Sequence, residues 1–107
     1  MPFVKNPLAA GSPGISRTGT RPVRLGRVVA TPGVLGAVPL PELLVALERH
    51  TRRDWGDVCE ADWKANDRAL KIGERLLSSY KSNEGVKFWI ITERDRSSTT
   101  FLLPSEY

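Results

Sequence analysis

One cysteine and one histidine are all that the 107 residues contain of the side chains most often used to bind transition metals. Cys59 alone excludes an intrachain disulfide and a cysteine-built zinc site, and a single thiol fits a reducing, cytoplasmic setting. His50 alone excludes metal sites built on histidine pairs, so neither metal nor cofactor is expected. Acid–base chemistry is left to one imidazole, carboxylates, tyrosine and lysine. Long apolar runs are also missing. No stretch approaches the ~18 residues of a membrane span, so no membrane partner is expected. There is no glycine-rich phosphate loop either, because Leu25-Gly26-Arg27 lacks the spacing.

Acidic residues are absent from the first 41 positions, where Lys5, Arg17, Arg21, Arg24 and Arg27 stand unopposed. From Glu42 onward, eleven Lys/Arg face twelve Asp/Glu, a net of −1, so the formal charge of +4 belongs to the start of the chain. The basic pI is therefore no argument that the folded part grips phosphate. Residues 1–22 hold Pro2, Pro7, Pro13, Pro22, Gly11, Gly14 and Gly19 without apolar periodicity. Such a composition cannot bury enough surface to offset ordering entropy, which predicts a disordered basic leader ahead of one domain over residues 23–107.

Within that domain, the β-branched run Val23–Thr31 reads as a strand stopped by a Pro32-Gly33 turn. Leu43, Leu44, Ala46, Leu47 and His50 recur at helical spacing across Glu42–Arg53, with Pro41 suited to a first turn. After the Asp54-Trp55-Gly56-Asp57 break, Trp63, Asn66, Leu70, Gly73, Leu76, Leu77 and Tyr80 continue a stripe that predicts one long helix from Cys59 to Tyr80. Asp57 and Glu60 have the spacing of a capping box at its start. Val86–Glu93 carries apolar bulk on both faces, as a central strand does, and a polar reversal returns the chain through Ser98–Leu103. The expected class is α+β: a small antiparallel sheet in β-α-α-β-β order, with two helices packed on one face.

Two sets of candidate residues follow. Cleaving RNA without metal needs a base, an acid and cations for the phosphorane, and His50, Glu93 and Arg96 supply those types. Binding without chemistry would use the polar hairpin and neighbouring helix ends, through Arg53, Trp55, Arg94, Arg96 and Thr99. The bland alternatives are a core histidine and a solvated hairpin loop, with Trp63 and Trp89 in the core and Trp55 open to either role.

Several segments carry a resemblance: Leu25–Gly33, Asp54–Asp57 with Asn66–Leu70, Phe88–Glu93, and Asp95 through Leu102-Leu103-Pro104-Ser105-Glu106-Tyr107. Together they resemble a family of short bacterial plasmid-related proteins carried on mobile elements and sometimes labelled as a type I restriction-system subunit. The resemblance implies a setting in mobile DNA and no catalytic residues, since the family has no established activity. The methyltransferase apparatus of a restriction subunit, a Rossmann domain and an Asn-Pro-Pro-Tyr loop, is not in the sequence. The expected function is an accessory binding module whose partner is a nucleic acid or a protein of a mobile element, with a barnase- or RelE-like ribonuclease as the alternative.

Overall fold

A computed structural model describes residues 22–107, and the reading of the leader lies, but for Pro22, outside them. The chain is α+β, with the element order β1 Arg27–Ala30, α1 Pro32–Ala37, α2 Leu40–Thr51, α3 Glu60–Ile72, β2 Leu76–Lys81, β3 Lys87–Thr92 and β4 Ser98–Leu102, followed by a 3-10 turn at Pro104–Glu106. The strands form one sheet in the order β1-β4-β3-β2. β3 pairs antiparallel with both neighbours and is central, as its two apolar faces predict. β1 pairs parallel with β4, so the sheet is mixed rather than purely antiparallel. The three intervening helices make that parallel return possible, since a parallel pair needs a long crossover.

Three further expectations are corrected. Pro32-Gly33 opens a helix instead of a turn: Thr31 caps it, its Oγ1 accepting from Val34 N at 3.3 Å, and Pro32 occupies a first-turn position where its missing N–H costs nothing. The long helix stops at Ile72, because Gly73 adopts a left-handed φ of 77° as its C-cap. Leu76–Lys81 is then a strand, and the apparent stripe through Tyr80 was two elements placed end to end. The Asp57–Glu60 capping box does not form either. Cys59 is the N-cap without a side-chain bond, and the Asp57 N–H is committed to Ser79 O.

Strand alternation sorts the sheet into two faces. One face, including Leu76, Tyr80, Phe88, Ile90 and Phe101, packs against the helices. Val34 and Val38 at α1 and Leu43 and Ala46 on α2 join it in one cluster, while Val23, Trp55 and Ala69 of α3 gather round Leu76. The opposite face carries Val29, Thr100, Leu102, Ile91, Trp89, Leu77, Ser79, Lys87 and Lys81, and what approaches it is the segment after Pro104, through a Trp89–Tyr107 ring contact. No helix of the described residues is long and apolar enough to cross a membrane.

The two edges of the sheet are treated differently. On β2, Ser79 N donates to Trp55 O at 3.1 Å, Ser79 O accepts from Asp57 N at 2.6 Å, and Gly56 forms an isolated parallel bridge with Ser79, so the Asp54–Asp57 break lies along the edge. Asn66 continues the cover by bonding both main-chain groups of Leu77. Two more contacts pin the break in place. The Asp54 carboxylate holds Arg49 through two bonds and the Gly56 N–H, and the Trp55 indole N–H donates to Asp67 at 3.0 Å. β1 has no such cover among the described residues.

Candidate functional site

His50 occupies the last turn of α2 and is fully buried against the helix-covered face. Its Nδ1 lies 2.5 Å from Ser78 Oγ and its Nε2 lies 2.8 Å from Thr92 Oγ1. Thr92 Oγ1 is 2.8 Å from Thr99 Oγ1, which donates to Leu25 O at 2.8 Å. That last bond fixes the direction of every other, because a carbonyl can only accept. With its proton given to Leu25, Thr99 accepts from Thr92; Thr92 then accepts from His50 Nε2–H, and Nδ1 accepts from the Ser78 hydroxyl. The imidazole is neutral, with its proton on Nε2. Burial, reinforced by the positive charge of Arg96, pushes its pKa down to about 4.

This thread decides where the cleavage residues fall. His50 is sealed among side chains that consume both ring nitrogens, so it has no face toward a substrate. Glu93 follows Thr92 in the strand and, by alternation, points to the other side of the sheet. Arg96 sits in the hairpin loop with a left-handed φ of 60°. Its Nη1 donates to Glu74 O at 2.7 Å and Glu93 O at 2.9 Å, and its Nη2 to Ala69 O at 3.4 Å. The guanidinium thus ties the loop to the end of α3, where the negative end of the helix dipole favours a cation. His50, Glu93 and Arg96 do not converge in one cleft.

The binding candidates divide in the same way. Thr99 and Trp55 are fully buried, Trp55 edge-on to His50 at 5.5 Å between ring centres. Arg53 is half-buried with a left-handed φ of 68° at the end of α2. Arg94 alone of the five stands well out at the surface, 71 % exposed and 3.7 Å from Glu74. No group of histidine, cysteine, aspartate and glutamate among the described residues could hold a metal.

A different constellation lies on the helix-free face, and the sequence reading missed it. Lys81 and Lys87 are exposed and stand directly opposite each other across β2 and β3. Two strand positions on from Lys87, half-buried Trp89 meets Tyr107 edge-on, with ring centres 5.6 Å apart. The Arg75 guanidinium lies 5.4 Å from the centre of the Tyr107 ring and donates to its hydroxyl. Neither lysine forms an ion pair among the described residues, whose four salt bridges all lie elsewhere. Like charges directly opposite each other in a sheet destabilise it, so this pair costs stability where a neutral pair would not. Once the helix is carried through Tyr80, no strand precedes the turn to pair Lys81 with Lys87, which is why the sequence did not disclose the pairing.

Comparison of the chain with protein-family models, curated proteins and solved structures found no match. The fold and this face define an α+β domain with one helix-covered and one helix-free sheet surface.

Proposed function

We propose that the chain is a non-enzymatic binding module for single-stranded nucleic acid, and that its helix-free sheet face is the contact surface. The Lys81–Lys87 pair carries the proposal: two like charges held opposite each other are relieved when a phosphate backbone lies between them. Trp89 and Tyr107, on the same face, offer π-surfaces on which bases stack, an interaction worth about 1–3 kcal/mol per base. Glu93 follows the far end of β3, away from the two lysines, while exposed Glu84 sits in the turn that joins them. The resemblance to plasmid-related proteins adds the setting, an accessory of mobile DNA. The ribonuclease reading loses support because both His50 ring nitrogens are bonded inside the core and Arg96 is committed to main-chain carbonyls.

The test is fluorescence anisotropy of labelled oligothymidylate and oligouridylate with the full chain over a salt series. Binding that weakens as salt rises, falls at least tenfold in Lys81→Glu/Lys87→Glu, and falls again in Trp89→Ala supports the proposal. Absence of binding at low salt overturns it. So does metal-independent RNA cleavage that is lost in His50→Ala.

A further inference from the structure

We infer that the bare edge of β1 is a self-complementary interface through which two copies of this chain pair antiparallel, making one continuous eight-stranded sheet. Parallel pairing to β4 uses the odd-numbered positions, since Arg27 N donates to Ser97 O and Thr31 N to Phe101 O, both at 3.0 Å. The N–H and C=O groups of Val28 and Ala30 therefore point outward, with no strand beyond them among the described residues. Val28 and Val29 beside them are 44 % and 40 % exposed. β2, by contrast, has its edge closed by Trp55, Asp57 and Asn66. An open edge with β-branched residues invites another strand.

A second copy fits because the edge matches itself in sequence and charge. An antiparallel pair centred on Val29 sets Val28 opposite Ala30 of the other copy and Ala30 opposite Val28, and each pair exchanges two main-chain bonds. The same register sets Arg27 opposite Thr31 of the other copy, on the helix-free face. Thr31 already holds a carboxylate: its hydroxyl donates to Glu106 Oε1 at 2.6 Å, and Leu103 N donates to the same oxygen at 2.8 Å. Glu106 is exposed and forms no salt bridge among the described residues, and Arg27 is likewise exposed and unbridged. Each Arg27 would meet the Glu106 of the other copy, twice over by symmetry. Because the contact is short, association falls in the weak class of interfaces. Pairing also places the two helix-free faces side by side. The nucleic-acid reading does not depend on it.

Sedimentation of the full chain from about 10 µM to about 1 mM tests the pairing, a range suited to weak association. The expected result is a mass rising from 11.9 kDa toward twice that value, with amide-exchange protection of Val28 and Ala30 increasing in parallel. Arg27→Glu and Glu106→Arg, each with the circular dichroism of the unaltered chain, should associate at least tenfold more weakly. An equal mixture of the two variants should recover association, since each cross-pair is then of opposite sign. A monomer throughout the range, association unchanged by Arg27→Glu, or failure of the mixture to recover overturns the inference.

Discussion

Asn66 and Leu77 form a closed pair in which the side-chain amide does the work of a neighbouring strand: Nδ2 donates to Leu77 O at 2.8 Å, and Leu77 N donates to Oδ1 at 3.1 Å. Asn66 is buried on α3, so these bonds also fix the helix against the sheet edge. Asn66→Ala should lower the unfolding free energy by about 2 kcal/mol, because both Leu77 groups lose partners. Asn66→Asp keeps the acceptor and loses the donor, and should fall between the two. Urea unfolding of the three proteins ranks them.

The buried imidazole makes stability depend on pH. The pKa of His50 is about 4 in the folded chain against an ordinary value of 6.5, so between those values the unfolded chain binds more protons. Its contribution is complete above pH 6.5 and is lost as pH falls toward 4, amounting to about 2 kcal/mol between pH 7.5 and 5. Unfolding measured at both pH values should show that loss, and His50→Gln should remove the dependence this residue supplies. Nitrogen chemical shifts at pH 7 should report a neutral ring protonated on Nε2.

Thr99→Val keeps the shape and deletes the hydroxyl, leaving Thr92 without an acceptor and Leu25 O without its donor. A loss of about 2 kcal/mol is expected in thermal or urea unfolding, while Thr99→Ser should retain most of the stability.

Two glycines with nearly the same backbone angle should respond differently to alanine. Gly56 has a φ of +78°, and an added Cβ would lie 2.0 Å from Ser79 O and 2.7 Å from the Tyr80 ring. Gly73, at +77°, has nothing within 4 Å of that position. Gly73→Ala should cost only the left-handed penalty of about 1 kcal/mol, whereas Gly56→Ala should cost at least about 3 kcal/mol, because the main chain along β2 must move. Equal losses would contradict the edge contact.

The parts of the fold readable in the sequence are those whose burial follows a local period. Leu43, Ala46, Leu47 and His50 mark α2, and the two apolar faces of Lys87–Thr92 mark a central strand. β2 was hidden because Leu76, Leu77 and Tyr80 also fit a helical stripe continued from α3. The features that decide against that helix are the left-handed Gly73 and main-chain bonds from residues twenty positions earlier, neither of which leaves a local pattern. The candidate site was obscured for a related reason. Thr99 and Trp55 belong to residue types that bind partners at surfaces, yet Thr99 is buried because Thr92 and Leu25 satisfy it, and Trp55 because Asp67 takes its N–H. Arg96 was visible as a cation, but its role as a clamp on main-chain carbonyls of the hairpin and the end of α3 depends on how the two meet.

The hydroxyl–imidazole thread also acts as an alignment key. Ser78, Thr92 and Thr99 come from three successive strands, the first two meeting one ring on a helix and the third joining through Thr92, so sliding any strand by a single residue would turn its hydroxyl to the other side of the sheet and strand the next group without a mate. Greasy side chains tolerate such slippage far better than a directional relay does. An oil-filled interior would hold these strands together, while this one also dictates how they are matched.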